Sequence, residues 1–260
     1  MQQGTLQKGG PTAALQHLRE TLKVLERAGG FRAKTGQAVL PFGINALDCL
    51  WPEGGLPRGA LHEVAGADKT PNSFAAATGF AAAIAGRLGA TVLWCGRGRD
   101  LYGPGLAAVG LDAKRLIVAE ARNDKDMLAA MEEGLRQGVL GAVVGEVERM
   151  DLTASRRLQL AAEKTGCMTL VLRRPGKHPQ ESVPITAASR WRIGCVPSSD
   201  GRQDFHQLPP RTRWRLDLLR SRFGGHGSWI VEAPDAQGHL HLPALLADRG
   251  MGAPLTARVA

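Results

Sequence analysis

The stretch Gly54 to Phe80, GGLPRGALHEVAGADKTPNSFAAATGF, decides the fold. A Gly-Gly-Leu-Pro turn leads into the short apolar run Ala60 to Ala65. A polar loop opens at Gly66, and a helix of small residues follows from about Ser73. Strand, loop and helix in this order form the setting in which G-x-x-x-x-G-K-[ST] cradles phosphates with backbone N–H groups and a lysine. The frame is present, but the phosphate-holding residues are not. Counted from Gly66, the second Gly position is Pro71, the Lys position is Asn72 and the Ser/Thr position is Ser73. Proline removes a backbone donor, and asparagine removes the charge. Lys69 lies three residues too early to be a simple substitute.

Outward from this loop, short apolar runs alternate with helical segments. Strands are expected at Leu61–Ala65, Thr91–Cys95, Leu116–Ala119, Gly141–Val147 and Met168–Leu172. Helices are expected at Ser73–Leu88, Gly105–Gly110, Asp124–Gln137 and Thr153–Lys164. Strands separated by crossover-length helices imply a mostly parallel twisted sheet with helices on both faces. Past Pro184 the pattern changes: Thr186–Ile193 and Trp214–Leu219 alternate, and Ser228–Glu232 is a further short strand. These imply an antiparallel extension at the C-terminal side. Ahead of the core, Leu15, Leu18, Leu22 and Leu25 recur at helical spacing, so Thr12–Ala28 reads as an amphipathic helix ended by Gly29-Gly30. The expected organisation is an N-terminal helix and linker (1–38), a core (39–233) and a C-terminal tail (234–260).

With 33 Lys+Arg against 24 Asp+Glu, the chain carries a formal charge of +9. That favours an acidic partner, either nucleic acid or an acidic protein surface. Cys49, Cys95, Cys167 and Cys195 are widely spaced, without zinc spacing, and fit reduced cytosolic use. Cys95 and Cys167 sit in apolar runs and read as core residues. The five tryptophans are expected to pack in the core or an interface. His62-Glu63 lacks the second histidine of a zinc-protease motif. No metal and no cofactor is expected. No stretch is long enough to span a membrane, and a cytoplasmic, nucleoid-associated location is expected.

These pieces resemble the RecA/RadA recombinase core in order. Gly43–Gly66, GINALDCLWPEGGLPRGALHEVAG, resembles its opening, where G-x-x-x-L-D precedes GGLP-x-G. Gly103–Asp112, ending AVGLD, and Arg213–Arg222, RWRLDLLRSR, resemble later parts of the same core. A closer resemblance is to the ImuA family, RecA-like inducible mutagenesis proteins related to SulA. It rests on HEVAG followed by GFAAAIAGRL, on RWRLDLL-R-R, and on GSWIVE followed by LPALLADRG, and it covers about residues 40–250. It implies a role in SOS-induced translesion synthesis. The implied partners are an ImuB-like Y-family polymerase homologue and an error-prone replicative-type polymerase, with RecA and weakly held single-stranded DNA as further candidates.

Transfer of the RecA phosphate machinery to this chain mostly fails. Gly66, Lys69, Thr70, Asn72 and Ser73 form a degenerate loop. The catalytic glutamate position reads Gly96-Arg97-Gly98-Arg99. The Walker B aspartate maps to Gly145, with Glu146 expected on the opposite face of the strand. The γ-phosphate-sensing glutamine falls near Arg173-Arg174. No catalytic residue is therefore expected. The DNA-binding loops are also short: Glu148–Thr153 runs almost directly into the next helix, and the second loop survives as Arg173–Pro184. Candidate contacts to a partner or to phosphates are Arg173, Arg174 and Lys177 in that loop. Arg220 and Arg222 align with the interface lysines of RecA, and Arg211, Arg213 and Arg215 extend them by alternation. Guanidinium groups suit both carboxylate and phosphate. Two other readings stay open: a SulA-like cell-division inhibitor that binds FtsZ, and a RecA-like DNA-dependent ATPase using Lys69 and Thr70.

Overall fold

The first described element is a helix whose leucine face packs on the core. α1 (Pro11–Arg27) buries Leu18 and Leu22, and Arg19 reaches Glu133 at 3.0 Å. The computed structural model describes residues 11–27, 38–97, 101–176, 186–198 and 211–243. A two-stranded ribbon, β1 (Val39–Leu40) with β2 (Leu56–Pro57), brackets the single turn α2 (Asn45–Asp48). The G-x-x-x-L-D segment has a clear task there. Asp48 closes the turn by accepting the N–H groups of Phe42 at 2.6 Å and Gly43 at 2.9 Å, while Leu47 is fully buried.

Alternation then follows as the hydrophobic pattern predicts. In order come β3 (Leu61–Gly66), α3 (Pro71–Arg87), β4 (Val92–Gly96), α4 (Gly103–Ala108), β5 (Leu116–Glu120), α5 (Asp124–Arg136), β6 (Ala142–Val147), α6 (Leu152–Thr165) and β7 (Met168–Arg173). β8 (Ser189–Val196), β9 (Arg213–Ser221) and β10 (Gly227–Glu232) complete an eight-stranded sheet of order β10-β9-β8-β3-β7-β6-β4-β5. Pairing is parallel from β5 to β8 and antiparallel across β8, β9 and β10. This is the mixed sheet expected, with the antiparallel extension on the C-terminal side.

The sheet has two dissimilar faces. On one, α3 packs Ala77, Phe80, Ala81 and Ile84 against Val64, Trp94, Trp191 and Leu216. Phe80 and Trp191 lie 5.6 Å apart by ring centroid, an aromatic contact adding about 0.5–1.5 kcal/mol beyond its buried area. On the other face, α5 and α6 pack Met127, Met131 and Leu158 against Leu61, Leu93 and Val171. The leucines of α1 join that cluster. The amphipathic helix thus buries its face on its own chain. Four tryptophans, Trp51, Trp94, Trp191 and Trp214, are core residues, and Trp229 packs partly buried against them. Cys95 and Cys167 are buried, and burial pushes both thiols up to about 12.

Packing continues past Ala233. The Glu232 N–H donates to His241 O at 2.8 Å, and Leu240 enters the core on the α3 side. The described part of the expected 234–260 tail therefore lies on the core. No helix among the described residues is long and apolar enough to cross a membrane.

Candidate functional site

α3 starts two residues earlier than the sequence suggests. Pro71 is tolerated in the first turn because its missing N–H has no helical acceptor there. Thr70 is the N-cap, its Oγ1 accepting from the Ser73 N–H at 3.3 Å. Gly66 is required by close approach: a Cβ there would stand 3.0 Å from the backbone of Ser73. Within the loop, the Asp68 carboxylate accepts from the Thr70 N–H at 2.9 Å and from the Thr70 hydroxyl at 2.5 Å. Those side-chain bonds, from Thr70 and then Ser73, hold its pKa below the usual carboxylate range. An internal carboxylate thus engages a backbone amide of the loop. Lys69 and Asn72 are exposed, and Ser73 is buried. Cys195 lies alongside, its thiol donating to Asn72 O at 3.6 Å.

The acid at the end of β6 corrects one expectation. Gly145 faces α5, and a Cβ on it would meet Met131 Sδ at 2.1 Å. Glu146 points to the α3 side, the face the sequence reading denied it. It is 3% exposed there, and accepts from Trp94 Nε1–H at 2.9 Å and from Arg174 Nη1 at 2.5 Å. The Arg174 guanidinium in turn lies 5.4 Å from the centroid of Phe74, in the first turn of α3. A carboxylate therefore does occupy the expected place beside the loop, but an arginine neutralises it and an aromatic ring covers the arginine.

Arg97, which follows β4, pairs with Asp124 and stands 3.8 Å from Glu148. Arg173 requires a second correction. The sequence makes it a candidate loop contact to a partner or to phosphates, yet it is 3% exposed because β7 carries it into the sheet. Its Nε is 3.1 Å from Glu63 Oε1 without hydrogen-bond alignment, and its Nη1 has no hydrogen-bond partner. Arg190 Nε donates to the other oxygen of Glu63 at 2.6 Å. Burial raises the Glu63 carboxyl above its ordinary value, against the opposing pull of Arg190 and Arg173. Lys177 lies outside the described residues.

The remaining arginines converge through a break in the β9 ladder. Alternation would put Arg213 and Arg215 on one face and Arg220 on the other. The register shows otherwise: Arg190 pairs with Arg220, while the next residue, Trp191, pairs with Leu218. Leu219 is the extra residue of a β-bulge, which resets the alternation. Arg213, Arg215 and Arg220 consequently share the face opposite the α3 core with Arg190 and Arg192 of β8. Arg222 follows onto the same side and reaches Glu163 of α6 at 3.7 Å. Arg211 stands 3.5 Å from Glu232. Asp217 is the hub of this face. Arg192 Nε and Arg215 Nε approach the same carboxylate oxygen at 3.3 and 3.4 Å, and Ser228 Oγ donates to the other oxygen at 2.6 Å.

Sequence reasoning missed the Glu146–Arg174 pair, the hub at Asp217 and the β8 contribution. The last was legible: Ser189–Gly194, SRWRIG, sets Arg190 and Arg192 on one side of Trp191 at period two.

A parallel sheet flanked by helices, a strand–loop–helix at its centre and an antiparallel extension define the RecA-like class. The RadB recombinase crystal structure aligns with a TM-score of 0.53 at 17% identity, covering 78% of this chain and 99% of that one. No family model matches the chain. At the level of sequence, Protein ImuA of Caulobacter vibrioides (strain NA1000 / CB15N) is 39% identical over 239 residues, 86% of this chain and 97% of the relative. Protein ImuA of strain ATCC 19089 / CIP 103742 / CB 15 matches equally. The chain belongs to the ImuA family.

Proposed function

We propose that the protein is a non-catalytic accessory factor of SOS-induced translesion DNA synthesis, using a RecA-like core as a protein-binding adaptor. Its main partner in this reading is an ImuB-like Y-family polymerase homologue, and through it an error-prone replicative-type polymerase. Membership in the ImuA family is the observation that carries the reading. The phosphate loop supports the absence of catalysis: Pro71 gives no N–H, Asn72 no charge, and Asp68 already occupies the Thr70 amide. The acid beside the loop supports it too, because Arg174 holds Glu146 in an ion pair that a metal-bound phosphate would have to break.

The test is co-purification of the full chain with ImuB at micromolar concentration. A stable one-to-one complex is the expected result. Failure to form one removes the adaptor reading. ATP turnover above the buffer rate, with or without single-stranded DNA, removes the non-catalytic part.

A further inference from the structure

We propose that the outward face of α6 is a docking surface for an acidic amphipathic helix of a partner protein, anchored on Leu152 and Leu160 and held by Arg156 and Lys164. The proposal rests on the adaptor reading for the existence of a protein partner. It adds the surface and the chemistry of the segment that surface takes.

Three observations carry it. The first is apolar surface left outside the core. The inward side of α6 is already filled by Ala154, Leu158 and Ala162. Leu152 is nevertheless 51% exposed and Leu160 56%. Among the described residues, no other helix exposes two large apolar side chains.

The second is spacing. Leu152, Arg156 and Leu160 follow one another at intervals of four, so they form one ridge along the helix. The two leucines are eight residues apart, about 12 Å along the axis. That is a little over two turns, the separation at which a partner helix presents successive apolar anchors. Lys164 continues the ridge by one more step.

The third is charge. Arg156 and Lys164 are exposed, and neither has a hydrogen-bond or ion-pair partner among the described residues. The acids of the same face are already engaged. Glu163 accepts from Gln159 Nε2 at 2.7 Å and lies 3.7 Å from Arg222, and Asp151 caps the helix by accepting the Ala154 N–H at 2.7 Å. Arg157 is balanced by Glu132 of α5 at 2.9 Å. The ridge therefore presents uncompensated positive charge between and beyond two leucines. Its complement is an apolar stripe edged by carboxylates.

A phosphate backbone fits less well, since it would pair with Arg156 and Lys164 but leave both leucines in water. A second copy of this chain also fits less well, because its formal charge of +9 opposes approach.

The experiment measures the full chain binding immobilised ImuB by biolayer interferometry across a salt series. Wild type is compared with Leu152→Ser/Leu160→Ser and with Arg156→Glu. All three positions face solvent, so circular dichroism and thermal melts of the variants should match wild type. Arg156→Glu leaves both leucines in place and tests the face even if the leucine pair is needed for folding. The leucine variant should bind about tenfold or more weakly, through faster dissociation. Arg156→Glu should slow association and flatten its dependence on salt. Wild-type affinity in both variants overturns this inference and leaves the adaptor reading standing. A wild-type association rate that does not fall with added salt overturns the acidic character of the docked segment. Absence of wild-type binding removes the adaptor reading and this surface with it. If Arg156→Glu keeps ImuB but loses labelled oligothymidylate, the face belongs to nucleic acid and the proposal falls.

Discussion

Arg220 stands directly opposite Arg190 across β8 and β9, on the side of the sheet that counting from Arg215 would deny it. Like charges facing each other on a ladder are unfavourable. Glu63, Arg190's neighbour across β3 and β8 and bonded to its Nε, offsets the repulsion. One inserted residue, Leu219, creates the arrangement. Its deletion would place Arg220 directly after Leu218 in plain alternation, so Arg220 and Arg222 keep their present faces and partners. A loss of only about 1–2 kcal/mol is therefore expected on deletion. Urea denaturation of the deletion variant checks this, and a loss of several kcal/mol, the mark of a segment forced to exchange faces, would contradict the bulge.

Restoring an acid at Gly145 does not restore a Walker B site. Gly145 packs against Met131, so Gly145→Asp places a carboxylate in the apolar layer under α5. A destabilisation of more than about 3 kcal/mol is expected from overpacking and an unpaired buried charge. Gly145→Ala, with overpacking alone, should cost about 1–3 kcal/mol. Thermal melts give the ranking, and a Gly145→Asp protein as stable as wild type would show that the residue faces elsewhere.

The Glu146–Arg174 pair should behave as a coupled unit. Arg174→Met leaves Glu146 with only the Trp94 N–H and should destabilise by about 1–3 kcal/mol, the low end reflecting Arg174's partial exposure. Adding Glu146→Gln removes the orphaned charge, keeps the acceptor for Trp94 and should recover part of the loss. A double-mutant cycle by denaturant titration measures the coupling. Strictly additive losses would contradict the pair.

Acid should weaken the fold through His62. The ring is fully buried, 2.7 Å from Ser189 Oγ and 2.8 Å from Pro57 O, and burial lowers its pKa to about 4. With the folded value below the unfolded one, the unfolded chain takes up the proton first as pH falls. The contribution is complete above about 6.5 and disappears between that value and about 4, a loss of roughly 3 kcal/mol. Denaturation midpoints against pH should show this slope in the wild type and not in His62→Gln. An unchanged slope in the variant would assign the acid sensitivity to other groups.

Much of this molecule was legible in its sequence because its signals are local. Strand and helix positions follow from hydrophobic period, and the broken loop from Pro71 and Asn72. What escaped depends on events between elements. The face of Glu146 is set by the pairing and packing of β6, and three apolar residues before Gly145 give no parity of their own. The burial of Arg173 follows from β7 running one residue beyond its apolar run. The convergence of Arg215 and Arg220 needs a bulge that only the β8–β9 register reveals.

Asp68 already holds the amide of Thr70, so the loop takes its shape from residues of its own chain. It does not wait for a small molecule to complete it. Under the proposed non-catalytic role, such a loop would give no reading of the cell's energy charge, and the working amount of the protein would follow from how much is synthesised and how soon it is degraded.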